Sequence, residues 1–156
     1  LKTKSYSGDD EKEVLSNFKS MLEKLDPASL KMCAHNGKEF DFPYCCRRMI
    51  INGIPIPSIL NTAGKKPWEV THIDTMELWK FGDFKSYTSL NLLAHTLGIP
   101  TPKDDIDGSM VGDVYWKEKN LERIATYCQK DVVTAAQVYL RIIGESLIKA
   151  ENIEYK

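Results

Sequence analysis

This sequence has no apolar run approaching the ~18 residues that a membrane-spanning helix needs, and it shows no secretory signal. A helical membrane protein is excluded, and a soluble, cytoplasmic location is expected. An excess of one charge is also missing: 21 Lys and Arg stand against 22 Asp and Glu. A tight duplex binder presents a basic field, so any nucleic-acid contact should be transient or directed at strand ends. Cysteine is sparse and unpatterned: Cys33, Cys45, Cys46 and Cys128 form no Cys-x-x-Cys pair, which argues against a disulfide framework or a zinc site. These thiols read as reduced, small core residues. His35, His72 and His95 lack ligand spacing and read as structural. There is no internal repeat and no low-complexity segment. A chain of 156 residues with 42% hydrophobic content suits one domain, residues 1–156, built on one core.

What is present is a regular alternation of helix and strand signals. Val14, Leu15, Phe18, Met21, Leu22 and Leu25 recur as one stripe of an amphipathic helix, opened by Ser7 and the acids Asp9, Asp10 and Glu11 and closed at Pro27. Residues 30–35 form a short apolar run stopped by Asn36-Gly37, which predicts a largely buried strand. Phe42, Cys45, Cys46, Met49 and Ile50 then form a helical stripe running from Pro43 to Asn52-Gly53. Residues 54–69 read as a loop and residues 70–74 as a second strand. Met76, Leu78, Trp79 and Phe81 suggest a helical turn, and Leu90, Leu93, Ala94 and Leu97 a short helix stopped by Gly98 and Pro100. A polar loop follows, from Thr101 to Gly112. Leu121, Ile124, Ala125, Cys128, Val132, Ala135, Tyr139 and Ile142 form a long final stripe. Strands alternating with helices imply an α/β architecture with parallel pairing. The lysine-rich ends read as solvated, and Trp68, Trp79 and Trp116 as core or core-edge residues.

Two constellations carry chemistry. In the first, His35-Asn36-Gly37-Lys38-Glu39-Phe40-Asp41, a strand ends and a helix begins. A carboxylate there commonly serves as a helix N-cap. Residues at the carboxyl end of a parallel strand, however, face the crevice where α/β proteins bind ligands. In the second, Tyr127 and Asp131 stand four residues apart on one helix and so share a face. Asp131 falls between the apolar positions Cys128 and Val132, near the buried edge of the stripe, where an acid needs a partner or a metal. Asp105-Ile106-Asp107-Gly108 resembles the start of a calcium loop but lacks the downstream bidentate Glu, so it reads as solvated.

Taken together, the two pieces resemble a known enzyme group. Asn36-x3-Phe40-Asp41 after a strand, followed far downstream by Tyr127-x3-Asp131 on a helix, is similar to the second and third motifs of the DEDDy 3′→5′ exonucleases. Ser89-Leu90-Asn91-Leu92-Leu93 fits the (Ser/Thr)-Leu-x2-hydrophobic motif of family B DNA polymerase proofreading domains. The likeness extends from residue 15 to residue 141 and includes stand-alone predicted exonucleases related to those domains. It implies a ribonuclease H-like fold and two divalent metal ions, Mg²⁺ or Mn²⁺, that promote hydrolysis of a 3′-terminal phosphodiester. By the same resemblance, Asp131 would ligate the metal that holds the nucleophilic water, Tyr127 would orient that water, and Asp41 would hold the second metal. Asn36, Phe40, Ser89 and Leu90 would contact the frayed strand, Phe40 by stacking. The implied partners are single-stranded DNA 3′ ends, with RNA also open, and the product is a nucleoside monophosphate.

One departure matters. The first motif of the group, Asp-x-Glu on an apolar strand, is not found. Asp9-Asp10-Glu11 has the letters, but it opens a polar helix. The chain is therefore expected to begin after the family's N-terminal antiparallel strands and to be inactive alone. The strand over 30–35 should lack a paired neighbour, and helix faces should be partly uncovered or packed on a second copy. Two other readings remain open: a non-catalytic nucleic-acid or nucleotide-binding module of the same fold, and an RNase D-like exoribonuclease.

Overall fold

A computed structural model describes residues 1–156 other than 27, 28, 84 and 102–105. Pro27, Pro102, Asp104 and Asp105 of the sequence reading lie outside the described residues. Contacts divide the chain into one unit spanning Gly8–Gly82 and another made of Leu1–Ser7 with Asp83–Lys156.

In the Gly8–Gly82 unit, helix α1 covers Glu11–Leu22, and Asp10 caps it by accepting a hydrogen bond from the Glu13 N–H at 3.1 Å. Asp10 and Glu11 are thus helix-start residues, as the polar context predicts. Leu15 and Leu22 on the inner face of α1 pack with Phe42 and Met49 of helix α2, Asp41–Ile51, and with Ile54 and Leu60 from the stretch that follows. The loop over 54–69 therefore contributes to the core. Met49 and Leu60 are essentially inaccessible, and burying each such side chain stabilises the fold by about 1.5–3 kcal/mol. At the rim, Arg48 grips the Glu11 carboxylate with two donors, Nε to Oε1 at 2.6 Å and Nη2 to Oε2, and the Asn52 amide donates to the same group.

Strand β1, Cys33–Ala34, pairs in parallel with β2, Ile73–Asp74, with Cys33 opposite Ile73 and Ala34 opposite Asp74. Parallel strands need a crossover, and α2 lies within it. The expectation that the first strand lacks a paired neighbour is corrected: β2 supplies one, and Ile73 N–H also donates to the Met32 carbonyl at 2.8 Å. The ladder is shorter than the apolar runs suggest. It stops at Ala34 because Asn36 turns into the left-handed region, φ 62°, and at Asp74 because helix α3, Thr75–Lys80, starts there.

In the other unit, helix α4 spans Leu90–Thr96 and ends at Gly98, whose φ of 64° suits glycine. Helix α5, Val111–Asp113, continues into a π-helical turn at Val114–Glu118, and the long helix α6 covers Leu121–Ile142. α4 packs on α6. The buried face of α6 overlaps the apolar stripe read from the sequence only in part: Ala135 is buried, and Leu121, Ile124, Ala125, Tyr139 and Ile142 are half-buried. Val133, Thr134, Ala135, Gln137 and Val138 are buried, whereas Cys128 and Val132 are exposed. Two polar residues occupy that face because each is satisfied there. Thr134 Oγ1 donates to the Lys130 carbonyl at 2.9 Å, and the Gln137 amide exchanges two hydrogen bonds with the Ile148 backbone at 2.7 and 2.9 Å.

The lysine-rich ends are not simply solvated. Lys2 and Glu154 form a parallel bridge, Thr3 is buried, and Gln129 Nε2 donates to Ser5 Oγ at 2.8 Å. Trp68 and Trp116 are also corrected, at 77% and 70% exposed. The cysteines are in no disulfide, but Cys33 and Cys128 are exposed rather than core. Among the described residues, no helix is long and apolar enough to cross a membrane.

Candidate active site

The end of β1 is shaped by one buried carboxylate. Asp74, 3% exposed, accepts from the backbone N–H of Asn36 at 2.9 Å and of Lys38 at 3.1 Å, and caps α3 through the N–H of Met76 and Glu77. One side chain thus holds the loop after β1 and the helix after β2. Asn36 reaches the left-handed conformation at lower cost than most residues, which aims both loop amides at Asp74. Gly37 follows because nothing larger fits: a Cβ there would stand 2.4 Å from Ala34 Cβ. His35 Nδ1 lies 2.9 Å from Thr75 Oγ1, and Lys38 pairs with Glu77 at 2.7 Å. The sequence places Asp74 at the end of the second strand but assigns it no role in the site. Its signal was an acid at the end of a strand, immediately before a helix.

This loop delivers Asn36, Phe40 and Asp41. Asn36 Oδ1 is buried and makes no hydrogen bond to a described residue. Phe40, 61% exposed, stacks on Tyr44 with ring centroids 5.9 Å apart and an interplanar angle of 11°. Asp41 is the first residue of α2; it is exposed, and no side chain caps this helix. The protein atoms around its carboxyl raise its pKa above the ordinary value. Its own backbone N–H opposes that shift, the Asp74 charge adds to it, and His35 opposes it. Solvent screens an exposed group, so this is a bias toward the protonated form and not a large energy.

The remaining site residues belong to the other unit. Ser89 caps α4, its Oγ accepting from the Leu92 N–H at 3.3 Å, and Leu90 is half-buried. Tyr127 and Asp131 are half-buried on α6, one turn apart. A Cβ placed on Gly108 would stand 3.9 Å from the Tyr127 hydroxyl. Asp131 stands on the same face of α6 as the buried Thr134, Ala135 and Val138, three, four and seven residues on. Asp107 belongs to a local turn, its carboxylate accepting from Ser109 N–H at 2.8 Å.

Among the described residues, no three His, Cys, Asp or Glu side chains gather as metal ligands. In kind, the donors suit a hard divalent cation: Asp41 is an accessible carboxylate with the negative Asp74 nearby, a charge balance that a cation would improve.

A DNA polymerase of Pyrococcus glycovorans is 23% identical to the chain over 134 residues, covering 78% of this chain and 17% of the polymerase. The chain thus spans a small part of that relative. No solved structure matches it. Residues 2–151 match a family described as predicted 3′→5′ exonucleases related to the exonuclease domain of PolB, and the chain belongs to that family.

Proposed function

We propose that this chain is the greater part of a metal-dependent 3′→5′ exonuclease with a ribonuclease H-like fold, acting on single-stranded or frayed DNA ends. The observation that carries the reading is the strand-end loop, where Asn36, Phe40 and Asp41 of one motif stand together on a base held by Asp74. The exposed Phe40–Tyr44 pair is a stacking platform for a terminal base, and stacking of this kind is worth about 1–3 kcal/mol per base. Ser89 and Leu90 extend the contact.

In this reading Asp41, Tyr127 and Asp131 are the catalytic residues. Asp41 and Asp131 would hold Mg²⁺ or Mn²⁺. When bound, these ions lower the pKa of water and neutralise charge on the phosphate. The Tyr127 hydroxyl, one helical turn from Asp131, orients the attacking water. The leaving group is the shortened strand, and the product is a nucleoside 5′-monophosphate.

The test is Mn²⁺-dependent release of nucleotides from a labelled single-stranded 3′ end by a protein that also carries an Asp-x-Glu strand, with Asp41→Ala and Asp131→Ala as controls. Loss of release in both variants is expected. Full activity in either would remove that residue from the site. Running labelled RNA beside DNA separates the DNA-directed reading from an RNase D-like one. Binding without hydrolysis in a protein that carries an Asp-x-Glu strand would favour the non-catalytic module.

A further inference from the structure

The outer face of α2 departs from the usual pattern of a surface helix. Phe42 and Met49 are buried in the core with Leu15 and Leu22 of α1. On the opposite side stand Tyr44, Arg47 and Ile51, three and four residues apart and all exposed. Phe40, just before the helix, stacks on Tyr44 and lengthens the row, so the four side chains form one stripe about 16 Å long. Ile50 flanks its far end, and Ile50 and Ile51 are 65% and 67% exposed. A helix at the surface ordinarily turns charged and polar residues outward. A continuous apolar stripe in their place marks an interaction surface.

The chemistry of the stripe matches a single nucleic-acid strand. The Phe40 and Tyr44 rings are nearly parallel, 11° apart, and present flat faces on which a base of any identity stacks. One turn on, the Arg47 guanidinium is in no ion pair among the described residues, whereas Arg48 beside it is bound to Glu11. A guanidinium left unpaired amid apolar surface is a ready partner for a phosphate. The only acid within α2 is Asp41, at the head of the helix, so nothing negative on α2 stands beside Arg47 to repel a phosphate. The stripe is also continuous with the proposed site, since Phe40 and Asp41 are adjacent residues.

We infer that the outer face of α2 is the track for the strand upstream of its 3′ end. The terminal base lies on the Phe40–Tyr44 pair, Arg47 takes the phosphate of a preceding nucleotide, and a base further upstream lies on Ile51. The strand therefore runs 3′ to 5′ from the start of α2 toward its end. This direction rests on the nuclease reading, which puts the 3′ end at Asp41; the assignment of Arg47 and Ile51 goes beyond it.

The test is binding of a short 5′-labelled oligothymidine to the full chain, followed by fluorescence anisotropy in EDTA over a series of salt concentrations. Each phosphate contact to a single strand contributes about 0.7 to the slope of log affinity against log salt, so Arg47→Met should lower that slope by about 0.7 and Arg47→Lys should restore it. Ile51→Ser should weaken binding several-fold. Both positions are exposed, so neither change threatens folding. A parent chain that does not bind the oligonucleotide would overturn the inference, as would an unchanged slope in Arg47→Met. A parent that sediments as a dimer which Ile51→Lys splits would assign the face to a second copy of the chain and overturn it as well. Hydrolysis is read separately, in a protein that also carries an Asp-x-Glu strand. Binding with the Arg47-dependent slope but no nucleotide release would uphold the track and remove the nuclease reading, and release with an unchanged slope would do the reverse.

Discussion

Asp74 shows how one side chain can set the geometry of a site without belonging to the motif that defines it. Four backbone N–H groups converge on its carboxylate. Replacing it with Asn keeps the shape but turns an NH₂ toward donors, leaving buried N–H groups unpaired at a cost of about 1–3 kcal/mol. Urea denaturation of Asp74→Asn should show that loss, and a midpoint equal to the parent's would contradict the clamp. Gly37→Ala should destabilise by a similar amount, about 1–3 kcal/mol, because the added methyl overlaps Ala34 and forces the backbone to move. At the proposed catalytic residues the expectations differ in kind. Asp131→Ala removes a ligand and should abolish hydrolysis, whereas Tyr127→Phe removes one positioning contact and should slow the reaction about 10²–10⁴-fold while leaving Mn²⁺ affinity unchanged. Single-turnover rates and metal titration on both variants separate the two roles; a Tyr127→Phe protein that no longer binds Mn²⁺ would reverse the assignment.

Among the elements, α1 and α2 are joined by apolar packing inside and by the Glu11–Arg48 pair at the rim. The Arg48 guanidinium, then the Asn52 amide, hold the Glu11 carboxyl down to a pKa of about 2 from an ordinary 4.5. A pKa depressed in the folded state contributes stability that is fully present above the unfolded value and is lost as pH falls through the folded one. The contribution should therefore fade between about pH 4.5 and 2. Both side chains are partly exposed, so its size is modest. In Arg48→Met, stability followed by denaturant titration should fall less steeply across that window than in the parent. An identical slope would mean that the pair is solvated and inert. α6 carries a different lesson. Its buried face includes Gln137, held by its hydrogen bonds to Ile148, as well as apolar residues, so a stripe counted from hydrophobic residues alone gives that face only in part.

For the whole molecule, the critical expectation concerns charge. The motifs recognised in residues 1–156 supply Asp41 and Asp131 but no Asp-x-Glu strand. Two divalent cations close together repel strongly unless carboxylates compensate. This segment by itself is thus expected to release little or no nucleotide, and a version carrying an added Asp-x-Glu strand much more. Equal rates from the two would sink the argument that the first motif is required.

The residue types and their spacing sufficed to place α1, α2, α4 and α6, the parallel pairing of the strands, and the family. Helix periodicity, caps and stop signals are local, and the motif Asn36-x3-Phe40-Asp41 is a continuous string. The tertiary structure alone decided the Asp74 clamp, the burial of Thr134 and Gln137, the exposure of Val132 and Trp68, and the pairing of the two chain ends. Each of these depends on which distant group satisfies a polar atom or covers an apolar one. Leu60 shows the same limit from the apolar side. Its place in a Pro-rich stretch suggested a loop, yet it is 1% exposed, because it packs into the core formed by Leu15, Leu22, Phe42 and Met49, residues distant in the sequence.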